Sequence, residues 1–158
     1  MKITVLKFCM TSLVVMSSLV SVSSQPGTQK STRPERRVIK LPGRTSTAPI
    51  SHATVVGDLV FTSGQIGVDP KTGQLAEGLE AQAEQVLLNL QTVLEAAGSD
   101  MSRVLKTTVF LADMNDYAAM NEVYKRHFKE DPPARSAVQV AKLPANAKIE
   151  IEAVAVLK

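Results

Sequence analysis

The sequence predicts an α+β domain in which two helices lie on one face of a single sheet. Three observations carry that expectation. The core is aliphatic, with 44% hydrophobic residues but only 4% aromatic ones and no tryptophan. Two segments repeat their apolar residues at the helical period. Between and around them run β-branched stretches, giving the order strand–strand–helix–strand–helix–strand–strand, the signature of a two-layer α+β arrangement.

The elements follow in order. In Ala53 to Ile66, two Val-rich runs are split by Gly57-Asp58, a hairpin signal, and "DPKTG" then marks a turn. The stretch "LEAQAEQVLLNLQTVLEAAG" places Leu79, Ala83, Val86, Leu87, Leu90, Val93, Leu94 and Ala97 on one helical face. Gly98 stands where a left-handed C-terminal residue is wanted. "RVLKTTVFLADM" (Arg103 to Met114) reads as an inner strand. A second helix follows, capped by Asn115 or Asp116, with Tyr117, Met120, Val123, Tyr124 and Phe128 on its apolar face and Pro132 and Pro133 as its stop. "SAVQVAKL" and "KIEIEAVAVL" supply the last two strands.

Ahead of the domain the chain changes character. Residues 1–24 combine Lys2 and Lys7, an apolar stretch from Phe8 to about Val22, and small residues, which fits an export-type leader and a periplasmic or secreted protein. An organelle transit peptide is the alternative, since residues 1–46 are rich in Ser, Thr and Arg and hold one acid, Glu35. The single cysteine, Cys9, lies in this leader, so disulfides and thiolate chemistry are excluded from the processed chain. Residues 25–47 read as a flexible basic linker; "RRVIKL" (Arg36 to Leu41) could form a short strand, but a solvated tail is the preferred reading. Residues 48–158 form the domain.

Charge divides along the same boundary. Residues 1–46 balance at +7 and the remainder at −4. Polyanion affinity depends on clustered Lys and Arg, so nucleic acid is not an expected partner of the domain, nor is a membrane once the leader is gone.

The last strand raises the functional question. Ile149 and Ile151 alternate with Glu150 and Glu152, but Val154 and Val156 continue the glutamates' face, so both faces are largely apolar. Helices cover only one; a second copy of the chain is the economical cover for the other. A carboxylate at such a seam is partly desolvated, and either its pKa rises or it finds a cation. Arg135, behind two prolines, could be that cation, could form a structural salt bridge, or could hold a small carboxylate bidentately. His52 and His127 lack metal-ligand spacing, and no phosphate loop, metal motif or Ser/His/Asp arrangement is visible.

"PARSAVQVAKLPANAKIEIEA", with "GDLVFTSGQIGVDPKTGQL" and "VLEAAGSDMSRVLKTTVFLADMNDYAAMNEVY" before it, resembles the RidA/YjgF family of reactive-intermediate imine deaminases across residues 48–158. The resemblance implies a chorismate-mutase-like (YjgF-like) homotrimer with ligand clefts between subunits. It also implies hydrolysis of small 2-imino acids (2-iminopropanoate or 2-iminobutanoate type) to 2-oxo acids and ammonia, without cofactor or metal. By the same similarity Arg135 grips the substrate carboxylate and Glu150 positions the attacking water. Ser63 and Gly64 line the cleft and offer backbone hydrogen bonds, and Asn121 stands near the site. Two positions depart from the pattern: Ile50 where many members have tyrosine, and Ala137 where several have cysteine. By the resemblance, losing the tyrosine hydroxyl removes one polar contact and reshapes the substrate pocket. A non-catalytic ligand-binding or chaperone-like trimer is the competing reading, and a ribonuclease a third, which the acidic domain disfavours.

Overall fold

Local chemistry decides which segments extend and which coil. The computed structural model describes residues 35–42 and 48–158; the expected leader, 1–24, and the parts of the expected linker at 25–34 and 43–47 lie outside the described residues. Seven strands, β1 (Arg37–Ile39), β2 (Ala53–Val56), β3 (Leu59–Thr62), β4 (Gln65–Ile66), β5 (Val104–Leu111), β6 (Ala134–Gln139) and β7 (Ile149–Val156), make one sheet. Its order is β1-β2-β3-β7-β5-β6, with β4 also pairing β7. All pairings are antiparallel except β5 with β6, so the sheet is mixed.

Two helices, α1 (Gly78–Ala97) and α2 (Tyr117–His127), cover one face. All eight apolar positions of the α1 stripe are buried. Each Val or Leu so buried contributes about 1.5–3 kcal/mol relative to exposure. Gly98 ends α1 at φ 93°, and its N–H caps the carbonyls of Leu94 and Glu95. The stripe packs on Ile149, Ile151, Ala153 and Ala155, alternate residues of β7. Buried polar groups on α1 serve the strands below. Asn89 donates to the carbonyls of Ile66 and Val68 (3.0 and 2.9 Å), and Gln82 accepts from the Lys148 N–H (2.7 Å) while donating to the Ala76 carbonyl (3.0 Å). Gly67 permits this closeness, because a Cβ there would stand 2.7 Å from the Gln82 Cα. At the far end, Glu84 of α1 bonds His127 (2.9 Å) and Arg126 (3.2 Å) of α2. No helix among the described residues is long and apolar enough to cross a membrane.

Three expectations need correction or refinement. Arg37–Ile39 is a strand, not a solvated tail: it pairs with β2, buries Ile39, and Arg37 donates to the Ala97 carbonyl at 3.0 Å. His52 Nδ1 accepts the Leu41 N–H at 3.2 Å and so ties this segment to the sheet. Asp116 does stand at the N-cap of α2, but no side-chain bond caps the helix there; Asp113 accepts the Asn115 N–H (2.9 Å) and starts a short 3₁₀ turn, Met114–Asp116, that leads into the helix. Finally, α2 ends at His127, ahead of Pro132 and Pro133 rather than at them.

Candidate functional site

Side chains paired across a ladder share a face, so register decides what Arg135 and Glu150 can reach. Arg135 pairs with Thr107, and Thr107 with Ala153, on the helix-covered face. Glu150 pairs with Phe110 and with Ile66 on the opposite, open face. One copy of the chain therefore carries the two groups on opposite sides of its sheet.

On the helix side, α2 builds a seat for the guanidinium. Arg135 Nη2 donates to Asn121 Oδ1 (2.6 Å) and to the Tyr117 hydroxyl (3.2 Å); Nη1 approaches the Met120 sulfur at 3.7 Å. Its carbon lies 4.5 Å from the Tyr124 ring centroid and 5.6 Å from that of Tyr117, within cation–π range. The Tyr124 hydroxyl is fixed in turn by Thr107 in the core at 2.7 Å. No ion pair among the described residues engages Arg135. A structural salt bridge, one of the readings open from sequence, is thus not what holds it. A guanidinium so seated, with N–H donors uncommitted, is a receptor for a planar anion. Asn121 beside Tyr117, then the Arg135 bond and charge, hold that phenol below the usual tyrosine value. Burial pushes Tyr124 up.

On the open side, the Glu150 side chain is half-buried, and no protein hydrogen bond to its carboxylate is found among the described residues. Burial first, and the like charge of Glu152 second, raise its pKa above the usual glutamate value. Gly64 leaves the space that the carboxylate fills: a Cβ there would overlap Glu150 Oε1. The loop holding Gly64 is braced from within. Ser63 donates its hydroxyl to the Ser51 carbonyl (2.6 Å) and its N–H to the His52 carbonyl (3.0 Å). Gln65 Nε2 donates to the Ser63 and Gly64 carbonyls. The Ser63 donors are therefore spent on the loop. A depression of ≈ 180 Å³ lies further along this face, lined by Phe61, Thr62, Lys106, Thr108, Glu152, Ala153 and Val154.

Ile50 is exposed beside the hairpin. Ala137, two residues beyond Arg135 in β6, shares its face of the sheet, pairs with Val109 and packs partly buried on the core. The structure thus brings together Arg135 with Asn121, and Glu150 with Gly64, but not these two pairs with each other. Sequence reasoning placed Tyr117 and Tyr124 only on a core stripe. Their spacing around Asn121 (four residues before and three after) is the signal that one helical face meets Arg135. Among the described residues, no cluster of three His, Cys, Asp or Glu could hold a metal.

Comparison with known proteins adds to this geometry. The family described as "Endoribonuclease L-PSP" matches residues 43–157. A human protein named 2-iminobutanoate/2-iminopropanoate deaminase is 50% identical over 125 residues, covering 77% of this chain and 90% of the human one. Reactive Intermediate Deaminase A, chloroplastic, of Arabidopsis thaliana is 50% identical over 110 residues, or 69% of this chain and 59% of that protein. The crystal structure of E. coli TdcF with bound serine superposes with a TM-score of 0.72 at 41% identity, covering 77% of this chain and 99% of that one.

Proposed function

The chain belongs to the RidA/YjgF/L-PSP family, and from that membership we propose that it hydrolyses small 2-imino acids of the 2-iminobutanoate and 2-iminopropanoate type to 2-oxo acids and ammonia. The observation that supports this reading best is the seat of Arg135: a guanidinium without an ion pair among the described residues, backed by an aromatic ring and an amide.

The chemistry asks little of the protein. A protonated imine is already electrophilic, and Arg135 orients it by its carboxylate. Glu150, ionised, takes a proton from water as the water oxygen bonds to C2 and the C=N π electrons move to nitrogen. That proton passes to the amine nitrogen of the tetrahedral adduct. The C–N bond then breaks as Glu150 takes the hydroxyl proton and the carbonyl forms; ammonia leaves with its electron pair and carries that proton away as ammonium. A raised pKa suits a base that must also return a proton, and an opposing iminium favours its ionised form.

Because Arg135 and Glu150 occupy opposite faces of one sheet, a site using both joins the helix side of one copy to the open side of another. A homotrimer with clefts between subunits meets that demand and would cover Leu59, Phe61, Val38 and Val138, which are exposed on this face. The net −4 balance of residues 47–158 weighs against ribonuclease action despite the family's descriptive name. We read residues 1–24 as an export-type leader, with a transit peptide as alternative; N-terminal sequencing of the mature protein separates the two.

The test of function is ammonia release from 2-iminopropanoate generated in situ by an amino-acid oxidase. Wild-type protein accelerates it, and Arg135→Ala abolishes the acceleration with assembly and circular dichroism intact. Failure of the wild type on every small 2-imino acid would establish the non-catalytic binding module instead.

A further inference from the structure

We infer that Tyr117 is a specificity-determining residue of this site, its hydroxyl donating a hydrogen bond to the carboxylate that Arg135 holds. The inference rests on the functional reading above and extends it to a residue that the reading does not use.

Tyr117 opens α2 on the same stripe as Met120, Val123, Tyr124 and Phe128. Those four are buried to 8% exposure or less, whereas Tyr117 stays 39% exposed. A core tyrosine would turn in; this one stays out at the rim of the Arg135 seat. Its oxygen accepts from Arg135 Nη2 at 3.2 Å, with the Asn121 side chain beside it. The acceptor side of the phenol is thus occupied by donors, and its proton is left for an incoming acceptor. Of the two tyrosines at the guanidinium, only Tyr117 can serve: the Tyr124 hydroxyl is bound to Thr107 inside the core.

A carboxylate docking on the free N–H groups of Arg135 replaces the weak Met120 sulfur contact at 3.7 Å and comes within reach of the phenol. Two donors of different kind then read it, a cationic fork and a neutral hydroxyl. The arrangement is sensitive to alkali. Arg135 of β6 is the charged group at the phenol, and Tyr124 is the other titratable member of the cluster; the shift at Tyr117 is downward. Once ionised, the phenol cannot donate, pairs with Arg135 and repels the carboxylate, so affinity falls as pH rises through its lowered pKa.

The test uses the assembled full chain and 2-oxobutanoate, the stable product, as titrant in calorimetry, beside steady-state deamination. Tyr117→Phe keeps the ring against Arg135 and removes only the hydroxyl. Its Kd for 2-oxobutanoate and its KM should both rise roughly tenfold, in proportion well beyond any fall in kcat, as expected for one lost bond to a charged group. The alkaline weakening of 2-oxobutanoate binding seen in wild type should be absent from the variant. Unchanged Kd and KM, or a fall in kcat alone, would overturn the inference while leaving the deaminase reading in place. A wild-type protein that neither deaminates nor binds the 2-oxo acid would remove both.

Discussion

The two faces of β7 are built from the same eight residues and have opposite fates. Its odd-numbered side chains, from Ile149 to Ala155, lie under α1 at 3% exposure or less. Its even-numbered ones, Glu150 to Val156, stay half-exposed in company with Phe61 and Leu59 of β3. The first face is finished by the chain itself, with every buried side-chain polar atom among the described residues satisfied. The second is apolar enough to need a cover and carries two carboxylates that a cover would desolvate further. Stability resides on one side and the demand for a partner on the other, so substitutions on the two sides should fail differently.

The largest contrast is expected from Phe61→Asp. A charge here, opposite Val154, should prevent assembly and abolish deamination, while circular dichroism keeps its helical signal. Light scattering and the ammonia assay read the two halves of that outcome; a fully assembled, active variant would show that this face is not the interface. Next comes a pair of glycines. Gly64→Ala pushes the Glu150 carboxylate out of its space, which a flexible side chain accommodates at little cost in stability. Activity should fall about a hundredfold, the low end of a lost general base. Gly67→Ala, by contrast, meets the backbone of Gln82, and α1 must move. Denaturant unfolding should reveal a loss of about 1–3 kcal/mol, with kcat of the remaining folded protein close to wild type. The smallest effect is electrostatic. Glu152→Gln removes the like charge that helps to raise Glu150. Because the base must be ionised, activity rises with pH through the Glu150 pKa, and the variant's acid limb should move to lower pH by a fraction of a unit in a kcat/KM profile. A limb that moved upward would contradict the stated cause.

How far the sequence spoke depends on how long each pattern is. Twenty residues of α1 repeat their period five times over, and every apolar position read from it is buried. The three residues of β1 cannot display a period; the strand exists because Ile39 and the Arg37 guanidinium find partners sixty or fewer residues away, which no local signal reveals. Arg135 stood out from the residues themselves and Asn121 by resemblance, and they touch. Alternation along β7 separated Glu150 from the helix-facing residues, but the face of Arg135 depends on its register with β5, and residue types alone do not set register between parallel neighbours. Tyr117 was hidden for another reason. At helical spacing a tyrosine counts as a core residue, and only its exposure shows otherwise.

Under the proposed function, the placement of Arg135 and Glu150 on opposite sides of a sheet would make each pocket a joint property of two chains. Arg135→Ala and Glu150→Gln proteins, each inactive when pure, should regain part of the wild-type rate when unfolded together and refolded as a mixture, since some pockets then inherit both intact groups. Two defective alleles could complement one another, whereas a chain carrying both lesions could rescue neither.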